Sequence, residues 1–315
     1  MDDKIPAQPL VSIGIPTYNR AASGRLKEVI ERSLRQTYQN IEVIVSDNCS
    51  ADNTSEIVNS FSDPRLQYVR QESNIGANNN FNFCLDQAKG KYFLLLHDDD
   101  SIDPDFISTC ITSLQPGQTA GVIYTGVRII DGNDHVIKEN KNRAAGLSAL
   151  DFVLGWFQGE VALYLCNSLY NREYLKEVGG FHSKHNLFTD LVPSFTLVEK
   201  YERVDVRDVK ASFRRHTSNM SYSTPMNLWI EDSLFLLAVL VKLFPQQRES
   251  IQKLGSQYFC EKMYWYTSRR SGFVRRWIDY FTAYKSFGYC YSPFRFFYPR
   301  PFKKANKVFS KNRML

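Results

Sequence analysis

The chain has 315 residues, 43% apolar and 23% charged, which excludes a disordered, collagenous or small stapled protein and leaves length for one large domain or two modest ones. Its six cysteines (Cys49, Cys84, Cys110, Cys166, Cys260, Cys290) are far apart with no C-x-x-C pair; this argues against a zinc module or a disulfide framework and fits reduced thiols in a cytosolic compartment. The net charge of +6 hides an asymmetry, because Lys262 to Leu315 hold 13 Lys and Arg against the single acid Asp279, while the rest of the chain holds 26 basic and 32 acidic residues.

Met1 to Leu10 lacks the basic start and apolar run of a signal peptide. The first third then alternates short β-rich apolar runs (Val11 to Ile15, Ile41 to Ser46) with amphipathic stretches (Arg25 to Arg35, Thr54 to Phe61). This rhythm predicts a parallel sheet with helices on its faces. Leu66 to Val69 reads as a further strand, Asn78 to Ala88 as a helix, and Tyr92 to Leu96 as a fully buried strand. After Pro104 the pattern predicts a helix at Asp105 to Leu114, a strand near Gly121 to Tyr124, and a polar turn at Asp131 to Asp134 between Val127 to Ile130 and Val136 to Lys138. From Pro225 the chain turns helical, clearest at Leu228 to Phe244 and Gln246 to Thr267. The apolar stretch Leu234 to Phe244 is about half of the roughly 20 residues a membrane helix needs and contains Lys242, so it reads as a buried helix.

His97-Asp98-Asp99-Asp100 follows the buried run directly. Adjacent carboxylates repel, and a divalent cation or a shared proton is the usual relief. Oxygen ligands with few histidines suit Mg²⁺ or Mn²⁺. A solvated acidic turn capping the helix near Pro104 is the alternative, and the position at the carboxyl end of a strand, where open α/β sheets bind ligands, favours the site.

Val11-Ser12-Ile13-Gly14-Ile15-Pro16-Thr17-Tyr18-Asn19-Arg20, Ile44-Val45-Ser46-Asp47-Asn48-Cys49-Ser50-Ala51-Asp52-Asn53-Thr54, Asn74-Ile75-Gly76 with Asn80, and the acidic run together resemble the family 2 glycosyltransferases of the GT-A fold. The motifs span about 95 residues and are specific as a set. The resemblance implies an α/β, GT-A-like, mainly parallel sheet flanked by helices over residues 1–224, with a donor-binding half at about 9–105 and an acceptor or catalytic half at about 106–224. A helical, basic and aromatic region at 225–315 follows.

By the same resemblance Tyr18 stacks on a nucleobase, Asp47 accepts a hydrogen bond from it, and Pro16 and Thr17 shape the pocket wall. Asn19, Arg20, Asn48, Asn74, Gly76 and Asn80 are further donor-site positions. The family pattern is Asp-x-Asp-Asp, with His97 standing where the first Asp would be. Asp99 then matches the direct metal ligand, Asp98 contacts ribose or a metal-bound water, and Asp100 orients the loop. Val178-Gly179-Gly180-Phe181 and Thr189-Asp190-Leu191 resemble the family's Gly-Gly-Phe and Glu-Asp motifs, with Thr189 in place of Glu and Asp190 matching the catalytic base. In Phe213 to Ser221, His216 matches an added metal ligand and Arg214 a diphosphate contact.

The expected activity is inverting, metal-dependent transfer of a sugar from a nucleotide-sugar donor to a saccharide or lipid-linked acceptor, in bacterial cell-surface polysaccharide synthesis. A sugar nucleotidyltransferase and a non-catalytic nucleotide- or glycan-binding module are the alternatives. The basic aromatic tail suits either an anionic membrane surface or a helical subdomain, and no nucleic-acid motif accompanies it. The expected location is cytoplasmic, with peripheral attachment to the inner face of the plasma membrane as the tail's contribution.

Overall fold

The first three strands and the buried run before the acids are β1 (Val11–Thr17), β2 (Ile41–Asp47), β3 (Leu66–Arg70) and β4 (Tyr92–Leu95), in a computed structural model that describes residues 8–215, 224–268 and 272–297. They lie parallel in the order β3-β2-β1-β4, as the alternation with helices requires. The intervening helices are α1 (Arg25–Leu34), α2 (Thr54–Asn59) and α3 (Ala77–Gln87). Leu26, Val29 and Ile30 of α1 turn inward at helical spacing and join Val11, Ile13, Val43, Val45 and Leu94 in one apolar core.

Beyond β4 the sheet becomes mixed. It continues through β8 (Ser168–Asn171), β6 (Val122–Ile130), β9 (Arg203–Arg214) and the two-residue β5 (Ser101–Ile102), while β7 (Val136–Asn140) pairs with β6 as a hairpin. Strands β8, β5 and β7 are antiparallel to their neighbours, and β9 runs parallel to β6. The expected α/β, GT-A-like architecture is borne out.

Two sequence expectations need correction. The runs Gly121 to Tyr124 and Val127 to Ile130 are one strand, β6, whose register against β9 slips around Gly126. A Cβ at Gly126 would lie 2.7 Å from the Asn140 carbonyl oxygen, so the glycine that reads as a break is the residue that lets the hairpin partner approach. Strand β9 was not anticipated, because its charged residues Asp205, Arg207, Asp208 and Lys210 interrupt the apolar alternation that the buried Val206 and Ala211 would otherwise show.

The remaining helices are α4 (Phe106–Thr112), α5 (Ala149–Gln158), α6 (Arg172–Glu177), α7 (Leu191–Lys200), α8 (Met226–Leu243), α9 (Arg248–Ser268), α10 (Phe273–Ser286) and α11 (Pro293–Phe297). The chain forms two compact units: one of residues 1–145, 162–181 and 196–215, which carries the sheet, and one of 146–161, 182–195 and 216–315. The second unit therefore gathers two segments from before residue 224. In it, Trp156 and Phe157 of α5 pack on Tyr258 and Phe259 of α9, an aromatic core that needs both stretches of chain. Among the described residues no helix is long and apolar enough to cross a membrane.

Helix α3 meets β1 across Gly14, where a Cβ would lie 2.8 Å from both the Cys84 Cβ and the Phe93 ring. Gly14→Ala should therefore destabilise the protein by about 1–3 kcal/mol through overpacking, read as a lower urea midpoint at unchanged slope.

Candidate functional site

The carboxyl ends of β1, β2 and β4 bring most of the expected site residues together. Thr17 ends β1 buried, and its hydroxyl donates to the Asp98 carboxylate at 2.7 Å. One step on, Tyr18 is 46% exposed, leaving a ring face open to a ligand. Asn19 takes a left-handed φ of 53°, a conformation asparagine tolerates, and this turns the chain so that Arg20 points back across the strand end. The Arg20 guanidinium then lies 3.6 Å from both Asp98 and Asp99.

The loops at these strand ends are tied by side chain to backbone bonds. The Asn19 backbone N–H donates to the Ser50 hydroxyl, the Asn19 side-chain oxygen accepts from the Ala51 N–H at 2.8 Å, and Asp52 accepts from the Ala21 N–H at 2.9 Å. Asn48 donates to Asn74 at 2.9 Å and accepts from the Ile75 N–H at 2.8 Å, while Asn74 accepts from the Gly76 N–H. Asp47 is fully buried and accepts from the Ser50 N–H at 2.9 Å and the Tyr68 hydroxyl at 2.8 Å. Burial, first, and the Asp47 contact both push the Tyr68 phenol upward, so it remains a donor.

Two residues expected at the donor are turned into the scaffold instead. Asn80 is buried and clamps Ser46 of β2, accepting from its hydroxyl at 2.6 Å and donating to its carbonyl at 2.9 Å. Arg214 is buried: its Nε donates to the Asp99 carbonyl at 2.8 Å, one terminal nitrogen to the Asp131 carbonyl at 3.0 Å, and the other to Asp134 at 2.6 Å. Its backbone N–H also donates to Asp100 at 2.9 Å. A guanidinium spread over three acceptors holds the acidic loop in shape, and Arg25, donating to Asp134 at 2.7 Å, closes the network.

The acidic run sits where its charges can be used. Asp98 and Asp100 are buried and Asp99 is partly open. Burial pushes the Asp98 carboxyl up to about 6, and burial followed by the neighbouring Asp99 raises Asp100 as well. His97 is held toward the neutral form by burial, and its ring lies 5.1 Å from Phe81, centroid to centroid. Donor atoms of His97, Asp99 and Asp100 lie within 4.8 Å of one another. The buried His97 Nε2 has no hydrogen-bond partner. A neutral imidazole beside two carboxylates is a donor set that fits Mn²⁺ or Mg²⁺. His97, standing where the sequence pattern has an Asp, thus keeps a metal-competent atom beside the two carboxylates. The other expected ligand, His216, lies outside the described residues.

Gly179 and Gly180 both take positive φ, 94° and 67°, a turn that other residues adopt at a cost. The turn delivers Phe181 to Asn82 of α3, which accepts from the Phe181 N–H and donates to its carbonyl, both at 2.9 Å; Asn78 donates to the same carbonyl. The Gly-Gly-Phe motif is thereby a clasp onto α3.

Asp190 belongs to the second unit. It is half-buried just before α7, and burial pushes its carboxyl up to about 6 against the opposing charge of Lys262. The Lys262 ammonium lies 5.5 Å from the ring centroids of Phe188 and Tyr258 and 6.0 Å from that of Trp156. The loop leading to Asp190 is shaped by Asp232, a buried acid of α8 that accepts from the Ser183 hydroxyl and from the His185 and Leu187 N–H groups at 2.8–2.9 Å. Neither Asp232 nor Lys262 was singled out in the sequence. The legible signal was an acid among the apolar residues of α8, since a carboxylate there must be either exposed or satisfied.

The family model described as "Glycosyl transferase family 2" matches residues 12–179. The glycosyltransferase GlyG of Streptococcus pneumoniae serotype 4 is 34% identical over 154 residues, 44% of this chain and 50% of GlyG. The GalNAc(5)-diNAcBac-PP-undecaprenol beta-1,3-glucosyltransferase of Campylobacter jejuni is 30% identical over 181 residues, 55% of this chain and 57% of that protein. The chain thus spans about half the length of these relatives. In structure, residues 1-349 of S. aureus TarS, solved with UDP-GlcNAc, superpose with a TM-score of 0.67 at 15% identity, covering 88% of this chain and 80% of that one; the fold is shared.

Arg214→Lys keeps the charge but loses the fork. It should lower stability by about 1.5–3 kcal/mol in urea unfolding, because the loop carrying Asp99 and Asp100 loses its anchor.

Proposed function

Because the chain belongs to glycosyltransferase family 2, we propose that it transfers a sugar from a nucleoside-diphosphate donor to a saccharide or lipid-linked acceptor, with inversion, in the synthesis of a bacterial cell-surface polysaccharide. The observation that carries the reading is the convergence at the ends of β1 and β4: exposed Tyr18, Thr17 bonded to Asp98, and Arg20 bridging Asp98 and Asp99. In this reading Tyr18 stacks on the base, and Asp47, the base contact expected from the sequence, instead acts from beneath by fixing the Ser50 turn and Tyr68, while Pro16, Asn19, Asn48, Asn74 and Gly76 hold the loops around them. Asn80 and Arg214 act one step back, through the strand and the acidic loop.

Asp99, with His97 and Asp100, would hold a divalent cation, and His216 is a further ligand in this reading. When bound, that cation neutralises charge developing on the diphosphate. Asp98, which Thr17 holds, meets a ribose hydroxyl in this reading.

Asp190 is the base in this reading. The acceptor hydroxyl oxygen attacks the anomeric carbon, its proton passes to the Asp190 carboxylate, and the bond to the diphosphate oxygen breaks, so that a nucleoside diphosphate leaves. A carboxyl raised to about 6 is a better base than an ordinary one and is still ionised at neutral pH. A lipid-linked acceptor would bring the basic aromatic carboxyl-terminal region to an anionic membrane surface.

Calorimetric titration with a panel of nucleoside diphosphates, each with Mn²⁺ and with EDTA, tests the donor site: one nucleotide should bind, and only with metal. Asp99→Ala and Asp190→Ala should each lower transfer by about 10²- to 10⁴-fold while leaving the melting transition cooperative. Nucleotide binding with no turnover of any donor would overturn the catalytic reading.

The turnover rate should fall about tenfold per unit below about pH 6, as Asp190 takes up a proton. Because folding raises this carboxyl above its ordinary 3.8, its ionisation costs stability progressively from about pH 4 through about 6. Asp190→Asn should therefore raise the melting temperature at pH 7 and leave it nearly unchanged at pH 4.

A further inference from the structure

Helix α10 is apolar over a wider arc than the single stripe a packed surface helix needs. Tyr280, Ala283 and the following Phe287 are buried, and Tyr280 meets Tyr264 of α9 edge to face at 5.4 Å. Adjoining this face, Phe273, Trp277 and Phe281 recur at four-residue spacing, and Val274 and Ile278 carry the apolar surface further round the helix. Phe273 and Val274 are 69% and 70% exposed, and Ile278 and Phe281 55% and 48%. Helix α11 extends this face, with Phe294 5.5 Å and Phe297 5.9 Å from Trp277, centroid to centroid. The α10 side chains Phe273, Val274, Trp277, Ile278 and Phe281 line one shallow apolar groove that ends at Lys285. A contiguous exposed patch of this kind marks an interaction surface rather than scattered surface hydrophobes.

The charge around the patch has a single sign. Arg275, Arg276, Lys285 and Arg295 lie on α10 and α11. The acid in this stretch, Asp279, is buried and pairs with Arg275 at 3.4 Å. The sequence from 298 to 315 adds six Lys and Arg and no acid. A second copy of this chain seated on the face would set these cations against their own kind. A nucleic acid would leave Val274 and Ile278 without a use. Aromatic and aliphatic side chains among cations match the boundary of an anionic bilayer, where acyl chains take the apolar residues and lipid phosphates the basic ones.

We propose that α10 is an in-plane membrane-docking helix, which inserts Phe273, Val274, Trp277, Ile278 and Phe281 into the boundary of an anionic lipid bilayer. The inference deepens the proposed function by locating where the enzyme meets a membrane that carries its acceptor, and it stands on the geometry of this helix.

The test is cosedimentation of the full chain with vesicles of phosphatidylcholine alone or with about a third phosphatidylglycerol. Binding is expected to the mixed vesicles, weakened by salt, and to be at least about tenfold weaker to the neutral ones. The double variant Val274→Glu and Ile278→Glu alters exposed positions. It should lose vesicle binding at least about tenfold while its melting temperature and its Mn²⁺-dependent nucleotide binding match those of the parent. Full retention of vesicle binding by the variant would overturn the proposal, since attraction through 298–315 would then suffice. Absence of binding to either vesicle would overturn it too, as would a concentration-dependent dimer that the variant abolishes. Nucleotide binding measured on the same samples separates these outcomes from failure of the donor-site reading.

Discussion

Three carboxylates crowded at the end of a buried strand are the constraint around which the first unit is organised. Strand β4 is fully buried, so the acids that follow it emerge into a partly desolvated space where their mutual repulsion is poorly screened. The chain answers with cations and donors from several elements: Arg20 across Asp98 and Asp99, Thr17 on Asp98, and the Arg214 backbone on Asp100. Arg20 is the more exposed of the two arginines and Arg214 is sealed in, so one is free to exchange partners and the other is not. A diphosphate and its cation would add charges of both signs to a site already arranged around charge. The bidentate contact of Arg128 with Asp103, at 2.6 and 2.9 Å, ties down the segment leaving the acids in the same way.

Asparagine does much of the work that flexible loops would otherwise leave undone. Asn19, Asn48 and Asn74 accept from backbone N–H groups at the strand ends, Asn80 clamps β2, and Asn82 holds Phe181 by both its backbone groups. Each amide offers a donor and an acceptor, so one side chain can satisfy both polar groups of a neighbouring peptide. Such loops keep their shape without a ligand, and a ligand then costs less ordering entropy to bind. The exposed Tyr18 is the counterpart, a rigid ring carried on a fixed loop.

In the second unit the same economy serves Asp190. Asp232 fixes the backbone leading to it, and Lys262, bounded by three aromatic rings, supplies a positive charge that tempers the effect of burial. A carboxyl balanced between desolvation and a nearby cation changes its charge well above the ordinary carboxylate range.

The sequence by itself determined the parallel half of the sheet, the strand-end placement of the acids and the family. Hydrophobic period and turn residues are local, and β1, β2 and β4 are buried on both faces, so their runs are unbroken. Only the tertiary structure decided which of the site's polar residues are turned into the scaffold. Asn80 and Arg214 carry the same chemistry in either role, and their partners Ser46 and Asp134 lie 34 and 80 residues away. It likewise brought His97 close to Asp99 and Asp100, and made β9 a strand despite its charges. It also showed that the aromatics of α10 divide between core and surface, because burial depends on what packs from elsewhere in the chain, and no local pattern encodes that.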